Sequence, residues 1–203
     1  MNNYTHFTKL YISKTPDRDI KEVYSKERQK YIDSTTNEKL HRQRYFVWKL
    51  LEFALKETLD LNPEEINFSV DKYGKWTCDK CFFSLSHSRG AVAVAISELP
   101  IGLDIENAEH FLHPKLHQRI LTEKEKTEFF KLPQIYKENF LLQKWCAKES
   151  LFKLCGKKQF IPKNIETDCN RLCIGKVSLS EQNFYYAVAT EEPKHLEIII
   201  LNK

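Results

Sequence analysis

Two acids stand two residues apart in the apolar line IGLDIE, Asp104 and Glu106, and a third, Glu149, follows downstream in WCAKESLFK. Three carboxylates in such apolar settings are hard to explain without a cation to hold. Ile101, Leu103 and Ile105 alternate with Gly102, Asp104 and Glu106, so a strand here puts its apolar residues on one face and both acids on the other. Oxygen-only ligands, few in number and drawn from different elements, suit Mg²⁺, which keeps several waters and usually shares its shell with a substrate's phosphates. The chemistry this points to is that of phosphate groups.

Other residues could take part. FSLSHSRG spaces Ser84, Ser86 and Ser88 two apart, with His87 and Arg89 placed in a turn beside them. Hydroxyl, imidazole and guanidinium together make an anion site. No G-x-S-x-G elbow surrounds the serines, which sets a serine hydrolase aside. Around Glu149 the helical wheel gives one stripe of Leu141, Trp145, Phe152 and Cys155 and a second of Leu142, Cys146, Glu149 and Lys153. Lys148 falls inside the apolar stripe, where a bare ammonium is costly unless an anion meets it. The plainer alternatives are an exposed Glu149–Lys153 pair at i, i+4 and a solitary turn histidine at His87.

The elements that must position these groups read as follows. FTKLYIS, residues 7–13, is expected as a strand, followed by helices over 18–32 and 37–58. The second helix sets Leu40, Val47, Leu50, Leu51, Ala54 and Leu55 at helical spacing beside the basic cluster His41, Arg42 and Arg44. INFSV is expected as a strand ending at a Tyr73-Gly74-Lys75 turn. FFSLS, AVAVAIS and IGLDIE are three strands in close succession, the middle one apolar enough to be buried on both faces. Helices are expected over 113–130 and 136–155, the latter capped by Gly156 with Lys157 and Lys158 beyond it, and strands return at NFYYAVAT and HLEIIIL. The result is an α+β chain of two similar halves meeting near residue 100.

Composition bounds the rest. The 203 residues are 41% hydrophobic and 30% charged, which fits a globular protein with a proper core. With 5 glycines and no apolar run near the roughly 20 residues that span a bilayer, fibrous and membrane-spanning readings fall away. MNNYTHFTKL lacks the pattern of a secretory signal, so the cytoplasm is the expected compartment. A formal charge of +4 favours acidic partners without demanding nucleic acid. The 6 cysteines are expected as free thiols, with Cys78 and Cys81, and Cys169 and Cys173, leaving a zinc-dependent binding module as an alternative.

Taken together, FSLSHS, IGLDIE and WCAKESLFK, in this order, resemble the three signature motifs of the 4′-phosphopantetheinyl transferases of the surfactin-synthetase-activating type. The likeness covers residues 66–156, including FSVDKYGKW, which resembles the family's Y-G-K-P element with Trp76 in place of the proline. It implies a monomer of two similar halves related by pseudo-two-fold symmetry, each a small antiparallel sheet with packed helices. Residues 1–100 would be the N-terminal half on the coenzyme A 3′-phosphate side, and 101–203 the half carrying the metal acids and catalytic helix. The reaction implied moves the phosphopantetheine arm of coenzyme A, the co-substrate, onto a serine of an apo acyl or peptidyl carrier protein and releases adenosine 3′,5′-bisphosphate.

By position in the matched motifs, Asp104, Glu106 and Glu149 would hold Mg²⁺, and His87 and Arg42 would bind the 3′-phosphate. Lys153 would reach the pyrophosphate, and Lys75, Ser86 and Lys148 would serve the nucleotide and phosphates, Lys148 beside Glu149 at the reacting centre. Arg42 and Arg44 both lie near the family's arginine, and its aromatic pair after the second motif stands here as Ile120-Leu121. From the chemistry itself, attack at phosphorus needs a base near the incoming hydroxyl, and Glu149, on the helix edge, is the candidate. A Mg²⁺-dependent phosphodiesterase or nuclease using the same acids is the other alternative.

Overall fold

In a computed structural model, residues 6–109, 113–156, 159–191 and 196–201 are described. Lys157 and Lys158 lie outside them. The chain runs β1 (Thr8–Lys14), α1 (Lys26–Asp33), α2 (Glu38–Leu59), β2 (Phe68–Val70), β3 (Trp76–Cys78), β4 (Phe82–Ser88), β5 (Ala91–Ser97) and β6 (Ile101–Asn107). It continues through α3 (His117–Ile120), α4 (Glu123–Lys131), α5 (Gln134–Cys155), β7 (Leu172–Leu179), β8 (Gln182–Thr190) and β9 (Leu196–Leu201). The α+β class holds. Among the described residues no helix is long and apolar enough to cross a membrane.

Two sheets, ordered β4-β5-β1-β9 and β6-β8-β7, make the body, with β2 and β3 a separate ribbon. One face of each sheet contributes to a shared core, Leu10, Ile12 and Ala93 from the first and Leu103, Ile105 and Phe184 from the second. The outer face of the first sheet, through Val92, Val94 and Ile96, packs on Trp48, Leu51 and Leu55 of α2. On the second sheet Ala187 meets Cys146 and Ala147 of α5. Every residue of β5 is buried, as an apolar run between two neighbours requires.

The halves repeat a topology. In each, a first strand is followed by a 22-residue helix and then by a hairpin whose second strand pairs antiparallel with the first: β1, α2, β4, β5 and then β6, α5, β7, β8. The last strand departs from a division at residue 100 and from a purely antiparallel sheet, because β9 crosses back to lie parallel to β1.

Several boundaries differ from expectation. The first helix starts at Lys26, eight residues later than its apolar pattern indicated, because the Ser25 side chain caps it by accepting from Arg28 N–H. The stretch 113–130 breaks at Leu121, whose extended backbone lets Thr122 and Glu125 form a capping box for α4. β3 and β7 were unforeseen. β3 has three residues, and β7 is an edge strand with mixed exposure and a central Gly175. Gly156 ends α5 in the left-handed region at φ 58°, as expected.

Candidate active site

α5 lies unusually close to β6. A Cβ on Gly102 would stand 1.9 Å from the Ser150 carbonyl oxygen, so only glycine allows the helix to cross there. Asp104 and Glu106 share the Gly102 face of β6, and Glu149 and Lys153 project from α5 toward it. The Lys153 ammonium lies 2.8 Å from Asp104 Oδ1 and 3.4 Å from Glu149 Oε2. The Glu149–Lys153 pair thus exists, but as part of a half-buried cluster rather than an exposed helix pair.

Electrostatics mark the cluster as strained by excess negative charge. Burial, and then repulsion from Asp104, raise the pKa of Glu149 above the usual carboxylate range. Burial pulls Lys153 down, but Asp104 and Glu149 outweigh it and hold the ammonium above its ordinary value. Asp104 is buried, and its Oδ2 has no hydrogen-bond partner. A sealed, unpartnered carboxylate oxygen beside a carboxyl pushed toward neutrality is the donor chemistry a small divalent cation answers. Among the described residues no three metal-ligating side chains are gathered closely enough to hold an ion, and Lys153 bridges two of the three acids instead.

Beyond Lys153 opens a cleft of about 600 Å³ between the halves. Its N-terminal wall carries Arg28, Arg44, Lys75, Trp76 and His87, and its C-terminal wall Phe152, Lys153 and Phe160. Arg28 is buried, with its guanidinium 4.7 Å from the Trp48 ring and 5.4 Å from the Trp76 ring; burial lowers it to about 10, which leaves it cationic at neutral pH. Arg44 packs its guanidinium 4.2 Å from the Tyr31 ring. The Nε groups of both arginines are buried without a hydrogen-bond partner. Burial, followed by the charges of Lys153 and Arg28, holds the His87 imidazole down at about 4, so it is neutral at pH 7.

The expected residues fall into two groups. Asp104, Glu106, Glu149, Lys153 and His87 are brought to one region, although His87 lies on β4 rather than in a turn. Arg42 is set apart: its guanidinium donates to the Pro16 carbonyl at 2.6 Å and pairs with Asp17, and it is Arg44 that lines the cleft. Arg28 was missed altogether, since nothing in its local pattern separates it from a surface arginine of a polar helix. Lys75 donates to the Ile101 and Lys153 carbonyls, at 3.1 and 2.9 Å, and so ties the ribbon's loop to β6 and to the end of α5.

Lys148 requires a correction. It is fully buried, and its ammonium is spent on Glu125 at 2.7 Å and on the Pro162 and Ile165 carbonyls at 3.1 and 2.5 Å. Three donors meet three acceptors, with none left for a phosphate. One residue along a helix turns the side chain by about 100°, so the neighbour of Glu149 serves the packing of α4 on α5. The anion that an ammonium in the apolar stripe demanded is Glu125. Ser86 is likewise engaged, donating to Asp104 Oδ1 at 2.9 Å. The cysteines are free of disulfides, and the Cys78 and Cys81 sulfurs are 3.9 Å apart.

Comparison with known proteins bears on this arrangement. Residues 100–194 match the family model described as the 4′-phosphopantetheinyl transferase superfamily. The chain is 32% identical over 116 residues to the 4′-phosphopantetheinyl transferase gsp of Aneurinibacillus migulanus, covering 57% of this chain and 48% of that protein. It is 26% identical over 117 residues to the 4′-phosphopantetheinyl transferase Sfp of Bacillus subtilis strain 168, covering 56% and 51%. The chain spans about half the length of the relatives it matches.

Proposed function

Because the chain belongs to the 4′-phosphopantetheinyl transferase superfamily, we propose that it transfers the phosphopantetheine arm of coenzyme A to a serine hydroxyl of an apo acyl or peptidyl carrier protein. The observation that carries the reading is the junction of a cationic, aromatic-walled cleft with the Asp104–Lys153–Glu149 cluster at its end. Such a cleft suits a nucleotide with several phosphates, and acids at its end suit a reaction at one of them.

Asp104, Glu106 and Glu149 would hold Mg²⁺, which when bound neutralises charge on the pyrophosphate oxygens. Arg28, Arg44 and His87 bind the nucleotide end, and Trp76 offers a ring face beside them. Lys153 holds the pyrophosphate. Glu149, whose basicity is raised by burial and by Asp104, takes the proton of the incoming serine hydroxyl. The serine oxygen bonds to the phosphorus that bears the pantetheine, the bond from that phosphorus to the bridging oxygen breaks, and adenosine 3′,5′-bisphosphate leaves with the bridging oxygen.

The topological repeat supports a pseudo-two-fold relation of the halves, and one chain supplying both walls of the cleft supports a monomer. The test is to incubate the protein with coenzyme A, Mg²⁺ and a panel of apo carriers and to read intact carrier mass. One added phosphopantetheine per carrier is expected, lost in Asp104→Ala. No mass gain on any carrier, or full activity of Asp104→Ala, would overturn the reading.

A further inference from the structure

β4 and β6 are edge strands of different sheets, and they meet through side chains rather than through a ladder. Ser84, Ser86 and Ser88 Oγ accept the amide N–H of Leu103, Ile105 and Asn107 at 3.0, 3.2 and 2.9 Å. Each partner lies 19 residues on from its serine. The spacing of two keeps all three hydroxyls on one face of β4, and the same spacing presents every second amide of β6.

Two of these hydroxyls do more. Ser86 Oγ donates to Asp104 Oδ1 at 2.9 Å and Ser88 Oγ to Glu106 Oε2 at 3.1 Å, each carboxylate 18 residues on from its serine. A hydroxyl can accept an amide hydrogen and donate its own at once, so the two bonds do not compete. The residue at the same offset from Ser84 is Gly102, which has no side chain to hold.

We propose that Ser86 and Ser88 are positioning residues that aim the two acids of β6, so that hydroxyls of the N-terminal half orient the carboxylates of the C-terminal half. This rests on the reading of Asp104 and Glu106 as metal ligands. Ser86 and the Lys153 ammonium both hold Oδ1 of Asp104, at 2.9 and 2.8 Å, the hydroxyl fixing it from the β4 side, and Oδ2 is left as the buried oxygen with no partner. The acids are thus set only when β4 and β6 seat in this register, and Ser84 is the internal control: it holds the seam but no acid.

The test uses the full chain and Mn²⁺ as the probe, with affinity read from the electron paramagnetic resonance of free Mn²⁺. Ser86→Ala and Ser88→Ala are each expected to weaken Mn²⁺ by roughly 10–100-fold, the usual cost of losing a group that orients a ligand, while Ser84→Ala stays within about twofold. Thermal denaturation should show all three variants destabilised by the lost seam acceptor, with Ser86→Ala and Ser88→Ala somewhat below Ser84→Ala because each also loses the bond to its carboxylate. Ser88→Ala decides the matter alone if Ser86→Ala does not fold. Equal weakening by Ser84→Ala, or none by the other two, overturns the proposal. Failure of the unmutated protein to bind Mn²⁺ would instead count against the metal reading. Crystal structures of the metal-free protein then decide on the serines: a turned Asp104 carboxylate in Ser86→Ala supports the proposal, and an unmoved one overturns it.

Discussion

The two long helices have the same length and the same place in their halves, yet α2 is a packing element and α5 a working one. α2 buries Tyr45, Phe46, Trp48, Leu51 and Leu55, and its buried acid Glu52 is met by Lys49 on the same helix. α5 buries the small residues Cys146, Ala147 and Ser150 where it crosses the sheet, over a strand that carries Gly102. The difference teaches that close approach, not charge alone, makes the site. α2 is held off its sheet by large side chains and delivers cations only from its first turns, whereas α5 comes near enough for Lys153 to reach a buried aspartate.

The largest test of this contrast is Glu149→Gln. The shape and one ligand oxygen remain while the base is lost, so turnover should fall by roughly two to four decades with coenzyme A affinity little changed. Parallel loss of affinity by calorimetry would make Glu149 a ligand only. Lys148→Met comes next. Breaking a buried pair strands the partner charge, here Glu125, and should cost about 3–5 kcal/mol in chemical denaturation. Adding Glu125→Leu should return part of it, as expected when both partners of a buried pair are replaced together. An inactive Lys148→Met of unchanged stability would restore a catalytic role to that lysine.

How far the amino-acid sequence anticipates this divides along the same line. Period-two alternation placed both acids of β6 on one face, and the apolar AVAVAIS predicted a doubly buried strand, because these patterns are local. The requirement that Lys148 find an anion was local too. The identity of that anion, Glu125 on another helix, was not. Likewise the serine spacing was plain, but its use as a seam depends on two sheet edges meeting 19 residues apart in sequence, and Arg28 reaches the cleft only through the packing of α1 on α2. The Thr122–Glu125 capping box was written in the sequence and would have divided the third helix correctly.

On the binding side the effects are smaller. Arg44→Ala removes a guanidinium from the cleft wall and should weaken coenzyme A by about 1.5–3 kcal/mol, the range of a hydrogen bond to a charged group. Arg42→Ala, acting on the Pro16 carbonyl and Asp17, should leave that affinity nearly unchanged. The reverse ranking would return the phosphate arginine to position 42.

The smallest expected effect is the most specific. His87 is held at about 4, against an ordinary value near 6.5, by burial and by the positive charges of Lys153 and Arg28. Between those two values the unfolded chain binds a proton that the native protein does not, so stability contributed by His87 is full above about 6.5 and is lost as pH falls toward 4. A phosphate dianion in the cleft reverses the local field and should draw a proton onto the imidazole. Coenzyme A binding near pH 6 is therefore expected to take up protons, seen as a dependence of the calorimetric heat on the buffer's ionisation enthalpy, and affinity should fall as pH rises. Dephospho-coenzyme A, lacking the 3′-phosphate, should take up fewer, and His87→Ala should make the two ligands alike, since an interaction already removed cannot be lost twice. Equal proton uptake with both ligands would detach His87 from the 3′-phosphate and leave the arginines of α1 and α2 as its readers.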